Sequence, residues 1–191
     1  MADERVKTDA LQIMGMFQVL PRLVVFDLDY TLWPFYCECR PNSPYLYNDA
    51  RGILHAFKEK GVGVAIASRS PTENRANKFL EELRIKSMFV AQEIFPSPVA
   101  GTHKKKHFQN IHSRTGIPYS NMLFFDDENR NIQAVSKLGV TSILVGNGVN
   151  LGALRQGLAE YCKGVITIEK NKQRWRKFSG NSSSSKKNEP K

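Results

Sequence analysis

From about Pro21 onward the chain alternates short apolar runs with segments of helical periodicity. The apolar runs are Leu23–Phe26, Val62–Ser68, Phe89–Phe95, Asn121–Phe125 and Thr141–Val145. Each has the length of a β-strand, and several are apolar throughout, as expected for strands buried on both faces. Between them, apolar residues recur at i, i+3 and i+4. Asn48-Asp49 offers a cap to a helix that carries Ile53, Leu54 and Phe57 and stops at Gly61. Ser70-Pro71 opens a second, with Pro71 in its first turn and Ala76, Phe79, Leu80 and Leu83 on one face. A basic helix from about His103 to Arg114 carries Phe108 and Ile111; others span Glu128–Leu138, with Gly139 as the stop, and Leu151–Tyr161. Strand and helix in strict alternation predict an α/β fold: a doubly wound, mostly parallel sheet with helices on both faces. Residues 21–169 form this domain, residues 1–20 a leader of uncertain structure, and residues 170–191 a tail expected to be disordered.

Certain polar residues interrupt the pattern at one place only. Asp27 and Asp29 follow the first strand, Ser68 ends the second, and Asp126 and Asp127 end the strand after the basic helix. In a parallel sheet these strand ends face one rim, where ligands bind. Carboxylates gathered there raise one another's pKa unless a cation sits among them. A hard, oxygen-seeking divalent ion suits them, and Mg²⁺ is expected because it accepts carboxylates, waters and a phosphate. Helix capping explains Asp126 or Asp127 ahead of Glu128, but not the pair on the first strand. With a metal and a phosphate present, a carboxylate can attack phosphorus and a second acid two residues on can move the proton. Hydroxyls and a lysine can hold the equatorial oxygens.

The net charge of +10 suggests nucleic acid until it is located. Eight basic residues and one acidic residue lie between Lys170 and Lys191, which leaves +3 for the other 169 residues. The segment KNKQRWRKF could contact nucleic acid or anionic lipid, with Trp175 and Phe178 stacking or inserting, but a solvated tail is the expectation. Cys37, Cys39 and Cys162 are too few for a disulfide framework, and Cys-Glu-Cys is too close for the usual metal spacing. They read as reduced thiols. His103 and His107 share a helix face at i, i+4, with no companion ligand to make a zinc site. No apolar run is long enough to span a membrane, and the N-terminus lacks a signal-peptide pattern. A soluble, cytoplasmic monomer is expected.

The stretch Asp27-Leu28-Asp29-Tyr30-Thr31 matches the DxDxT motif of the haloacid dehalogenase (HAD) superfamily of phosphotransferases. Together with ASRS at Ala67–Ser70, HFQNIHSRTGIP at His107–Pro118 and FFDDENRNI at Phe124–Ile132, it closely resembles the eukaryotic magnesium-dependent phosphatase-1 family, from about Pro21 to Tyr161. The resemblance implies a HAD-like, Rossmannoid fold and a Mg²⁺-dependent phosphatase acting through an aspartyl-phosphate. By position it implies Asp27 as nucleophile and metal ligand, and Asp29 as general acid/base, with its backbone carbonyl a second ligand. Thr31 would support the loop, Ser68 bind the phosphoryl group and Arg69 assist. Of Lys104, Lys105 and Lys106, the family's lysine falls on Lys104, three residues before His107-Phe108. In the acidic pair, Asp127 ranks above Asp126 as a metal ligand. The segment Pro34–Asp49 is shorter than the flap-like insertion of these relatives, so a minimal flap is expected and a separate cap domain is not. That favours protruding substrates, phosphotyrosine on a protein or small sugar phosphates.

Other functions use similar residues. A receiver domain combines acids, a hydroxyl and a lysine, but in a different chain order. A phosphate-binding module without turnover would not need every catalytic position filled, and phosphomutase chemistry needs a cap to exclude water. Gly61-Val-Gly63 precedes a strand rather than following one, and reads as a helix stop and a turn, not a nucleotide loop.

Overall fold

The computed structural model describes residues 2–40, 43–96 and 104–181. Five strands form one parallel sheet: β1 (Leu23–Phe26), β2 (Gly63–Ser68), β3 (Phe89–Ile94), β4 (Met122–Asp126) and β5 (Thr141–Leu144), in the order β3-β2-β1-β4-β5. Among the described residues, six α-helices accompany them: α1 (Ala2–Gly15), α2 (Ala50–Glu59), α3 (Glu73–Glu82), α4 (Lys105–Thr115), α5 (Asn129–Ser136) and α6 (Leu151–Asn181).

Alternation along each strand divides the core in two. Val24, Phe26, Val64, Ile66, Leu123 and Phe125 face one layer, with Ile53 and Phe57 of α2, Phe79 and Leu80 of α3, and Leu154 and Leu158 of α6. Leu23, Val25, Ala65, Ala67, Met122 and Phe124 face the other, with Phe108 and Ile111 of α4 and Val135 of α5. A strand covered on both sides has no polar position to spare, which is why β1 is wholly apolar and wholly buried. From β1 the chain winds outward to β2 and β3, then crosses to β4 on the other side. The sheet order therefore reverses at β1, and a crevice opens beyond the carboxyl ends of β1 and β4.

Four features differ from the sequence expectation. The leader forms α1, which buries Ala10, Ile13 and Met14. Val6 of α1 crosses so close to Gly52 of α2 that a Cβ on the glycine would lie 2.7 Å from the valine Cβ. The helix expected over Leu151–Tyr161 continues to Asn181, through the boundary drawn at 169/170, with no proline to interrupt it and with Gly157 and Gly164 held inside it; residues 182–191 lie outside the described residues. Asp49 precedes α2 without capping it by its side chain. Its Oδ2 instead accepts from the Leu151 N–H at 3.1 Å and so serves the start of α6, where Asn150 Oδ1 also accepts from Ala153. Finally, α3 begins at Glu73, so Pro71 is not in its first turn. Ser70 Oγ accepts from the Thr72 N–H at 3.3 Å, a local turn that competes with helix at a serine. Gly61 does end α2: at φ 69° it lets Val62 N–H donate back to Phe57 O.

Candidate active site

Register brings the acids together. Phe26 pairs with Phe125 across β1 and β4, so Asp27 and Asp126 emerge side by side, and Asp27 N–H donates to Phe125 O at 3.0 Å. Lys104 immediately precedes α4, and its side chain runs inward, about 1% exposed. Its Nζ donates to Asp27 Oδ1 and to Asp126 Oδ2, each at 2.5 Å. Lys105 is only partly buried and Lys106 is exposed, so geometry separates the three lysines.

One ammonium serves three carboxylates. Burial pushes Asp27 well above the usual carboxylate range, and neighbouring Asp126 and Asp127 push the same way, against Lys104. Burial would lower Lys104, but Asp126 and Asp27 outweigh it and hold the ammonium protonated. Asp127 is pushed up to about 6 by burial and then by Asp126. Oxygens of Asp27, Asp126 and Asp127 lie within 4.8 Å of one another. This all-oxygen, under-neutralised donor set fits a hard divalent cation. Within it, Asp126 is the most occupied: Oδ1 accepts from Glu128 N–H at 2.7 Å and Oδ2 from Lys104, with Asn131 Nδ2 close to both. The half-buried Asp127 has the freer oxygens of the two.

The loop after β1 presents Asp29. Leu28 O accepts from the N–H groups of Thr31, Leu32 and Trp33, and Tyr30 takes a positive φ of 54° within this tight turn. Asp29 Oδ1 accepts from Trp33 Nε1 at 2.6 Å and from Cys37 N–H at 3.1 Å. Burial raises the Asp29 pKa, and those two bonds pull against it. Thr31 is buried, and its Oγ1 has no partner among the described residues; its link to the rest of the fold is backbone, Thr31 O accepting from Val149 N–H.

Ser68, almost fully buried, ends β2, and its Oγ accepts from Ser70 N–H at 3.3 Å. Arg69 is committed elsewhere than expected: Nη1 donates to Glu128 Oε2 at 3.2 Å, and Arg130 grips the same carboxylate through Nε and Nη2 at 2.6 and 2.7 Å. A cleft of about 160 Å³ joins these groups. Asp27, Asp29, Ser68, Arg69, Lys104 and Asp127 all line it, whereas Thr31 and Asp126 lie behind its wall. Tyr36 and Glu38 of the flap form one side, and the exposed Tyr36 meets Tyr30 edge to face at 4.8 Å.

Several residues in and around the cleft were missed in the sequence. Glu128, Arg130 and Asn131 lie in the same FFDDENRNI stretch as the acids, and polar side chains at a helix start directly after an acidic strand end were the available signal. With no companion ligand for zinc, His107 is expected to be a solvent-facing or packing histidine; its neighbour in the pattern, His103, lies outside the described residues. His107 is buried, with Nε2 within 2.9 Å of both Ser68 O and Phe95 O, and burial depresses it to about 4. Cys37 is buried against Ser70 Oγ and Thr72 Oγ1, and none of the three cysteines is in a disulfide.

Comparison with known proteins adds relatives to this geometry. Residues 19–46 and 40–164 match a family model described as Acid Phosphatase. Human "Magnesium-dependent phosphatase 1" is 42% identical over 161 residues, covering 75% of this chain and 89% of the human protein. A HAD-like hydrolase superfamily protein of Schizosaccharomyces pombe is 35% identical over 144 residues, 63% of this chain and 83% of the relative. Among solved structures, a HAD-superfamily hydrolase from Ehrlichia chaffeensis superposes with a TM-score of 0.58 at 13% identity, over 75% of this chain and 98% of the other. The N-terminal part of a Bacteroides fragilis protein, containing a phosphatase domain complexed with Mg, gives 0.56 at 16% identity, over 81% and 43%. At these identities the two structures speak for the fold.

Proposed function

The chain belongs to the magnesium-dependent phosphatase-1 family of the HAD superfamily, and on that premise we propose that it is a Mg²⁺-dependent phosphatase that hydrolyses phosphate monoesters through an aspartyl-phosphate on Asp27. The observation that carries this reading is the buried Lys104 ammonium, held between Asp27 and Asp126 in a cleft that Asp29 also lines. Asp27 attacks phosphorus in line while Asp29 gives its proton to the leaving oxygen. Water then attacks the aspartyl-phosphate, passes its proton to Asp29 and releases phosphate and free Asp27. Ser68 holds a phosphoryl oxygen, and Lys104 offsets the repulsion between nucleophile and anionic substrate. The carboxylates of Asp27 and Asp127 and the backbone carbonyl of Asp29 would hold the metal, with Asp126 behind them. When bound, Mg²⁺ supplies positive charge to the phosphoryl oxygens and to the acid cluster. Arg69, tied to Glu128, assists from the rim.

The flap is short and the cleft small, which favours substrates whose bulk stays outside: phosphotyrosine on a protein, against the exposed Tyr30 and Tyr36, or small sugar phosphates. Among the described residues no helix is long and apolar enough to cross a membrane. A cytoplasmic monomer is the proposed form, a setting that suits three unpaired cysteines. The test is phosphate release from p-nitrophenyl phosphate with Mg²⁺, with EDTA, and for Asp27→Asn with Mg²⁺. Turnover in the first alone supports the reading, and turnover unaffected by EDTA contradicts it. Comparing kcat/KM for phosphotyrosine peptides and sugar phosphates then separates the substrate classes.

A further inference from the structure

The proposed reaction needs the proton of Asp29 on one particular oxygen, and the side chain that determines this lies four residues on. We propose that Trp33 is a positioning residue: its indole N–H pins Oδ1 of Asp29, so that the acid carries its proton on Oδ2 and presents it to the leaving group. This rests on the reading of Asp29 as the general acid.

Among the described residues, both hydrogen bonds to the Asp29 carboxylate converge on one oxygen, from Trp33 Nε1 at 2.6 Å and from Cys37 N–H at 3.1 Å. An oxygen that accepts from two N–H donors is a poor place for a proton, so the neutral acid keeps its hydrogen on Oδ2. An indole suits the task because it donates only and cannot remove the proton that the acid must deliver. It is also rigidly held. Trp33 is fully buried, stacked on Phe35 at 5.7 Å with an interplanar angle of 3°, and set edge-on to Phe79 of α3 at 6.0 Å. Its own N–H donates to Leu28 O, so backbone and ring together frame the turn that carries Asp29. A carboxyl on a single-bonded side chain otherwise rotates, and small errors of aim in a proton transfer cost large factors in rate. Plain core packing would require the ring but not the N–H, since phenylalanine could fill much of the same space.

Trp33→Phe removes the donor and keeps an aromatic ring. Its kcat/KM is expected to fall about 10- to 100-fold for alkyl phosphates, whose leaving oxygen needs a proton, and less than about threefold for p-nitrophenyl phosphate, whose leaving group does not. In an Asp29→Asn background the same substitution should cost nothing further. Equal losses for both substrates, or an undiminished loss on top of Asp29→Asn, overturn the proposal. Folding is monitored by the thermal transition, and a second measurement does not depend on the substitution at all. In ¹⁵N-labelled protein the Trp33 indole proton should resonate well downfield of the indole proton of free tryptophan in water and move upfield in Asp29→Ala; an unmoved resonance also overturns the proposal. If Asp29→Asn by itself turns over alkyl phosphates at the wild-type rate, the role of Asp29 fails, and the inference with it. That outcome is recognisable because the indole shift would still report the bond.

Discussion

Replacing Lys104 by methionine removes an ammonium while retaining most of the side chain's volume. The wild-type group is about 1% exposed and bonds two carboxylates, one on Asp27 and one on Asp126, each at 2.5 Å. Breaking a buried ion pair by removing one partner costs about 3–5 kcal/mol, because the other charge is left in low dielectric. Here two charges are left, but each can take up a proton, at about 1.4 kcal/mol per pKa unit, which bounds the added cost. A loss of about 3–5 kcal/mol is a large part of a domain's usual total of about 5–15 kcal/mol. Urea unfolding at pH 7 in EDTA should therefore show Lys104→Met far less stable than Lys105→Met or Lys106→Met. Saturating Mg²⁺ should restore part of the loss, by about 2.7 kcal/mol at a hundred times Kd, since the cation takes over the missing charge. Activity should follow: kcat/KM for Lys104→Met falls at least about tenfold below that of either neighbour, about 1.4 kcal/mol of transition-state binding. If Lys104→Met unfolds within about 0.5 kcal/mol of wild type in EDTA, the ammonium is not what holds these carboxylates, and the reasoning fails.

Other consequences follow from single contacts. His107 is held neutral with its pKa at about 4, below the ordinary 6.5, so the unfolded chain binds its proton first as pH falls. Its contribution is therefore complete above pH 6.5 and is lost between 6.5 and 4, about 3 kcal/mol in all, and His107→Gln should flatten the rise in stability with pH measured by urea unfolding across that window. Asp29→Asn should lower kcat by about 10²–10⁴-fold, with a smaller loss in kcat/KM for aryl than for alkyl phosphates. Gly52→Ala places a methyl 2.7 Å from Val6 Cβ and 2.9 Å from Asp3 O, so it should lower the melting temperature by overpacking of about 1–3 kcal/mol, and Val6→Ala should recover only the share due to the valine.

The strands were the most legible part of the chain, because a strand covered on both faces shows in sequence as an unbroken apolar run. Leu23–Phe26 is read to the residue, and the other four within one or two. The site was legible where an acid ends such a run, since neither a core nor a helix cap explains Asp27. What sequence could not supply was partnership across the chain. Asp49 looks like the cap of its own helix, yet it serves Leu151, 102 residues away. Arg69 looks free to meet a phosphate, and only the fold brings Glu128 and Arg130 to it. Trp33 stands in sequence where the loop after the first strand opens; the fold buries it, and its polar edge matters only because the turn at Leu28 folds Asp29 back upon it. Helix α1 went unrecognised although Val6, Ala10, Ile13 and Met14 have helical spacing, because charged residues interleave that short pattern.

The central claim is a covalent bond between Asp27 and phosphorus. The direct measurement is a single turnover with ³²P-labelled substrate and Mg²⁺, quenched in acid within milliseconds and digested for peptide mapping. The account predicts a label that survives acid, is released by hydroxylamine as an acyl phosphate should be, lies on the peptide containing Asp27, and is absent from Asp27→Asn. Phosphate release in the same time course with no label on that peptide, or label retained by Asp27→Asn, would contradict it.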